Sequence, residues 1–244
     1  MRYFYGELIG TYVLSSSLNF MADYTSGQKI SLLEIIIGFF IAIQVARKLS
    51  GAHLNPAVTL MFYLNDSVEE RNKMYRKYKE RLLGQLVGGL LSPILSIILT
   101  GKCFVVKAGD ETNYLIAFIM ELFASSVFYT VILFQSKPEF DLHGKDEVVS
   151  SAIVALGLAG GISIAGNQSG AGLNPVISIS QNIMYFLANR DVYAFKHIPI
   201  YICAPLAAAY VSNLMLNYFR NEATVIHTVD SEFSNDYNKK IFNS

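Results

Sequence analysis

One short string occurs twice in this chain, as Ser50-Gly51-Ala52-His53-Leu54-Asn55-Pro56-Ala57-Val58-Thr59 and as Ser169-Gly170-Ala171-Gly172-Leu173-Asn174-Pro175-Val176. Asn is a favoured helix N-cap, and Pro is tolerated at the first helical position, where its missing N–H costs nothing. Each Asn-Pro pair therefore starts a helix sharply, directly after Gly-containing backbone. A single pair is a weak signal, because many helices begin this way. Here two pairs open apolar segments, at about 55–64 and 174–187, that are too short to cross a bilayer. Short, interrupted apolar segments in matching places of two halves point to a pore or binding site at mid-membrane.

The remaining sequence supplies the membrane. Six further segments, at about 4–22, 31–49, 81–100, 114–134, 148–166 and 198–218, are long and apolar enough to span as helices. Charged residues make up 16% of the chain, against about 25% in an ordinary soluble domain. The first span follows Arg2 with no small-residue cleavage pattern after it, so it is read as a retained span and not a signal peptide. The formal charge of zero gives no reason to expect nucleic acid as a partner. Cys103 and Cys203 fall in different contexts and show no metal or redox spacing.

The halves match beyond the Asn-Pro boxes. Glu7 lies in the first span and precedes Asn55 by 48 residues, while Glu121 lies in the fourth and precedes Asn174 by 53. An acidic residue in a span, one more span, a Gly-containing loop and an Asn-Pro half-helix thus recur in the same order. Three spans per half is an odd number, so the second half must enter from the opposite side, which makes an inverted repeat. The expected fold is an all-α membrane protein of six transmembrane helices and two re-entrant half-helices. Repeat one covers about 1–100 and repeat two about 114–219, together a channel unit over 1–219. A polar, mobile tail is expected over 220–244.

Orientation follows from Lys and Arg placement. With both termini in the cytoplasm, the inner segments hold fourteen basic residues, including Arg47, Lys137, Lys145 and the six from Arg71 to Arg81. The outer segments hold five: Lys29, Lys102, Lys107, Arg190 and Lys196. The charged run from Asp66 to Arg81 is read as a solvated helical extension that sets topology, the alternative being a site for anionic lipid heads.

At the two boxes and their flanks the chain resembles the aquaporin and aquaglyceroporin family, over nearly its whole length except the tail. The resemblance implies that the half-helices meet head to head at the membrane centre, with Asn55 and Asn174 projecting into a single-file pore. An Asn amide offers an acceptor and two donors. As a cap its oxygen accepts from the half-helix, which leaves the NH2 to donate to a passing oxygen. Half-helix N-termini carry partial positive charge and repel cations. By the same resemblance, carbonyls of Gly51, Ala52 and His53 and of Gly170, Ala171 and Gly172 line the pore, and Glu7 and Glu121 are buried acids that hold the loops. A proton-relay role for the acids lacks an accompanying His or Asp ladder. His53 is read as a packing residue rather than a ligand. The resemblance implies a homotetramer in the plasma membrane, with no cofactor, no metal and no enzymatic step.

The chain departs from the family at the outer mouth. Most members carry Arg three residues after the second Asn, where this chain has Ile177. Carried over position by position, the constriction is Ile35 (or a neighbour such as Ile36), Ile162, Ala171 and Ile177, with no charged donor. Three readings stay open: an apolar mouth passing water and small neutral solutes, a hydrophobic gate that dewets, or a basic side chain such as Arg190 or Lys196 reaching in from an outer loop. Val176 replaces the usual Ala of the second box and adds bulk, with a slight local widening expected. Ser178 is the water-channel type where glycerol channels usually carry Asp, Asn182 stands where they carry a basic residue, and Tyr201-Ile202 is mixed. The expectation is a passive water channel. Glycerol or another small neutral solute is the alternative permeant, and a non-conducting adhesion or scaffold protein the alternative class.

Overall fold

The computed structural model describes residues 1–22, 30–109, 111–140 and 146–242, with 222–242 as backbone alone. Lys29 and Lys145, counted above among the outer and inner basic residues, lie outside the described residues. Among those described there are eight α-helices and no strand: α1 (Arg2–Met21), α2 (Leu32–Ser50), α3 (Pro56–Asn65), α4 (Val68–Thr100), α5 (Tyr114–Ser136), α6 (Glu147–Ser169), α7 (Pro175–Asn189) and α8 (Ile198–Phe242). Six are long, and α3 and α7 are the half-helices.

Local chemistry sets the helix ends. Ser31 and Ser67 each form a capping box, with Glu34 and Glu70 respectively, which satisfies two orphan N-terminal groups at once. Asn113 and Asp146 cap α5 and α6. Gly51, Gly101 and Gly170 end α2, α4 and α6 in the left-handed conformation. The charged run is helical from Val68, so it is continuous with the span beginning near residue 81. The backbone of α8 is helical to Phe242.

Length and apolarity alone select four spanning stretches, Val68–Thr100, Tyr114–Ser136, Glu147–Ser169 and Val192–Asn221. The first two helices are more polar for a structural reason. In α1, Glu7, Ser15 and Asn19 are buried inside the bundle and bonded there. In α2, Arg47 and Lys48 lie in the last turn, where cations suit the helix dipole.

Packing repeats the sequence duplication. Helix α1 packs on α4 and α2, and α5 packs on α8 and α6; α3 lies against α8, and α7 against α4. Each half-helix therefore leans on the last span of the other half, which interlocks the repeats. The α1–α4 contact is very close. A Cβ added at Gly84 or Gly88 would come within 2.3 Å of the carbonyl oxygen of Phe4 or Leu8. Small residues four apart allow backbones to approach in this way in a membrane, where apolar burial gives little drive for helix association.

Candidate functional site: a central pair of amides between two chambers

The loops before the half-helices share one backbone path. Gly51, Ala52 and Leu54 have φ of 90°, 54° and 53°, and Gly170, Ala171 and Leu173 have 82°, 48° and 49°. Left-handed backbone is costly for a residue with a Cβ, at about 1–2 kcal/mol each. Such conformations persist where the surroundings over-determine them, and here buried carboxylates do so. Glu7 accepts from the backbone N–H of His53 at 3.0 Å and of Leu54 at 2.6 Å. Glu121 accepts from the N–H of Leu173 and from the Ser169 hydroxyl, both at 2.5 Å. Both acids are fully buried.

Each Asn caps its half-helix and grips the other loop. Asn55 Oδ1 accepts from Ala57 N–H at 2.8 Å, and Asn174 Oδ1 accepts from Val176 N–H at 3.2 Å. Asn55 Nδ2 donates to the Leu173 carbonyl at 2.8 Å, and Asn174 Nδ2 donates to the Leu54 carbonyl at 2.8 Å. The sequence reading left both NH2 groups to the permeant. In the structure part of that donor capacity joins the two boxes, because each loop places a carbonyl one residue before its own Asn and within reach of the other. Tyr129 adds a third member on one side: its hydroxyl accepts from Asn55 Nδ2 at 3.2 Å and donates to the Leu173 carbonyl at 2.8 Å.

Pro56 and Pro175 take the first helical position of α3 and α7. Ala57 is fully buried. A methyl of Val176 comes within 3.4 Å of where a Cβ on Gly89 would stand. The extra bulk thus faces a position on α4 that has no side chain.

Two chambers flank this centre. One, of about 60 Å³, is lined by Asn55 and Asn174 together with Ile35, Ile162, Ala171 and Ile177. The four constriction positions carried over from the resemblance therefore face one space. Leu14, Leu18, Phe39, Phe128 and Leu158 add apolar wall, His53, Leu54 and Gly172 line it too, and no Asp, Glu, Lys or Arg does. The second chamber, of about 170 Å³, is lined by Gly51, Ala52 and His53 and by Arg47, Gln135, Ser150 and Ser151 among others. Phe39 and His53 line both chambers. His53 is held by a 3.2 Å contact of Nδ1 with Thr59 Oγ1 and by stacking on Phe62 at 4.7 Å.

Several positions fall elsewhere than the pore wall. Gly170 packs against the backbone of Lys107, where a Cβ would lie 2.2 Å from the carbonyl oxygen, and it lines neither chamber. Neither Arg190 nor Lys196 lines the chamber of the Ile ring. Arg190 is exposed at the end of α7, and Lys196 Nζ sits 4.8 Å from the Tyr193 ring. Asn182 and Tyr201 are spent on scaffolding: Asn182 pairs with the backbone of Val106 and Ala194, and the Tyr201 hydroxyl donates to the Ser169 carbonyl at 2.6 Å.

Sequence reasoning missed Leu14 and Phe128, although a signal was present. Each lies seven residues, two helical turns, after its buried Glu. It also missed Tyr129, whose role depends on a contact made across the two halves.

Comparison with known proteins agrees with this geometry. The model of the major intrinsic protein family matches residues 2–238. The chain is 29% identical over 237 residues to the aquaglyceroporin of Plasmodium berghei (strain Anka), covering 88% of this chain and 87% of that one. It is 25% identical over 243 residues to the probable glycerol uptake facilitator protein of Mycoplasma genitalium, covering 88% and 93%. Its fold resembles the X-ray structure of the aquaglyceroporin from Plasmodium falciparum, with a TM-score of 0.68, 24% identity, and 86% and 93% of the two chains covered. An interlocked pair of half-helices, two Asn caps at their meeting point and a family match over nearly the whole chain lead to one assignment: the protein is an integral membrane channel, not an enzyme, and belongs to the major intrinsic protein family.

Proposed function

We propose that the chain is a passive water channel, with one pore running through the apolar chamber, past the Asn55–Asn174 pair and into the chamber lined by Gly51 and His53. The observation that carries this reading is the placement of both Asn side chains on one chamber with the ring of Ile35, Ile162, Ala171 and Ile177. Space of about 60 Å³ exceeds the roughly 10–15 Å³ that one water centre needs. The Asn174 amide has a second hydrogen beyond the one given to Leu54, available to a passing oxygen. The Ile-lined wall offers few partners to a polyol. Each hydroxyl that enters without a hydrogen bond costs about 1–3 kcal/mol on protein scales, which favours water over glycerol.

Glycerol is the second reading, favoured by relatives described as an aquaglyceroporin and as a probable glycerol uptake facilitator. The placement of fourteen basic residues on one side and five on the other supports cytoplasmic termini. The working assembly is a plasma-membrane homotetramer with a channel unit over 1–219 and a segment over 220–244 on the inner side. Stopped-flow light scattering of proteoliposomes tests the permeant. Fast shrinkage in an impermeant osmolyte supports water, and rapid re-swelling in glycerol supports the second reading.

A further inference from the structure

The apolar chamber has no charged lining residue, and the chamber on the Gly51 side has one, Arg47. Its guanidinium is held at the junction of α2 and α6. Nη1 donates to the Glu147 carbonyl and, at 2.7 Å, to the Ser151 hydroxyl. Nε lies 3.4 Å from the Glu147 carboxylate. Five N–H groups point from a guanidinium; the two on Nη1 are hydrogen-bonded, and Nε makes only the ion-pair contact. Among the described residues the two on Nη2 have no protein acceptor. Arg47 is 21% exposed and Glu147 is 63% exposed. Glu147 does not line the Gly51-side chamber; it lines the wider space beyond, of about 240 Å³. Arg47 lines both spaces: it is the one charged residue on the narrower chamber, and it shares the wider one with Lys137, Asp146 and Glu147, where water and salt screen the counter-charge.

We propose that Arg47 is a specificity-determining residue of the pore. It supplies at the inner mouth the repulsion of cations that the Ile177 ring does not supply at the outer one. The inference rests on the channel reading above. A cleft with low-dielectric walls and one sign of charge focuses its field, so a single cation there changes local ion concentration far more than it would on an open surface. The barrier lies in series with the Asn pair and acts on a cation travelling in either direction. Neutral solutes feel no net force from it.

Arg47 also ties α2 to α6, so the test must separate charge from tie. Proteoliposomes with a trapped sodium-sensitive dye report Na⁺ influx, and shrinkage of the same vesicles reports water flux. Arg47→Gln is expected to raise the ratio of Na⁺ to water permeability at least about tenfold. Arg47→Lys keeps the ratio low. Glu147→Gln, which weakens the tie but leaves the cation, keeps Na⁺ influx at or below the wild-type level. If Arg47→Gln does not fold, the swap Arg47→Glu with Glu147→Arg retains the pair, puts an anion in the chamber and is expected to leak Na⁺. An Arg47→Gln or swapped channel as tight to Na⁺ as wild type overturns the proposal. So does a Glu147→Gln channel that leaks as much as Arg47→Gln. Wild-type water flux decides the channel reading independently.

Discussion

At the end of α2 the Ser50 carbonyl accepts from the buried Arg81 guanidinium, at 3.0 Å from Nε and 2.6 Å from Nη2. At the end of α6 the Ser169 carbonyl accepts from the Tyr201 hydroxyl at 2.6 Å. The two carbonyls are 119 residues apart, and the two donors 120. They are matching positions of the repeat, occupied by a cation in one half and a phenol in the other. The acids differ with them. Glu7 lies 3.9 Å from Arg81 and accepts from Gln85 Nε2 at 2.8 Å. Glu121 has Ser169 as its side-chain donor. The duplication has kept the left-handed φ angles of the two loops to within about 10° while the groups that hold them diverged. What the fold requires is two donors' worth of restraint on each loop, and several side-chain chemistries provide it.

Neutralising the acids breaks the comparison most directly. Glu7→Gln removes the counter-charge of a buried Arg and is expected to cost about 3 kcal/mol. Glu121→Gln disturbs hydrogen bonds with no cation beside them and is expected to cost about 1 kcal/mol. Thermal aggregation of the detergent-solubilised protein checks this. Equal losses at both positions would show that the Arg81 contact adds nothing.

The second difference lies along the pore: an aliphatic ring beside Asn174 against a chamber on the Gly51 side with Arg47. Ile177→Arg restores a cation to the ring and is expected to lower pore-dependent proton flux about tenfold, read with a trapped pH dye. Flux equal to wild type would mean that the half-helix dipoles and the Asn pair already exclude protons. Ile177 is 3% exposed, so retention of water flux should be measured alongside.

The smallest effect concerns the centre. Leu173 O accepts from two donors, Asn55 and Tyr129, whereas the structure gives Leu54 O one side-chain donor, Asn174. Ser15 lies eight residues after Glu7, as Tyr129 lies eight after Glu121, and its short side chain instead accepts from Gln181. Tyr129→Phe makes the two sides alike and is expected to cost about 1 kcal/mol. Thermal unfolding measures it, and a loss above about 3 kcal/mol would show that the phenol holds the boxes together, beyond a single hydrogen bond.

These contrasts mark what a single sequence discloses. Asn-Pro caps, Gly at the loop starts and acids in apolar spans are local signals, and each has a backbone cost or gain that names its place. The helix starts at Pro56 and Pro175 could be read for that reason. Arg81 could not. It sits in a charged run that reads as a topology signal, yet it is 7% exposed, because α1 and the Ser50 carbonyl close over it. Tyr129 reads as one more aromatic in an apolar span until Asn55, 74 residues away, is brought against it. Arg47 resembles any cation at a helix C-terminus until α6 turns it toward the chamber. Such roles depend on register between distant helices, which periodicity within one helix does not encode.

The central claim is that the two halves enclose one water-conducting pore centred on Asn55 and Asn174. Osmotic shrinkage of proteoliposomes by stopped-flow light scattering tests it most directly. Shrinkage several-fold faster than in empty vesicles is expected, with glycerol entering much more slowly than water leaves. Shrinkage no faster than in empty vesicles, with the protein shown to be folded and inserted, would contradict it.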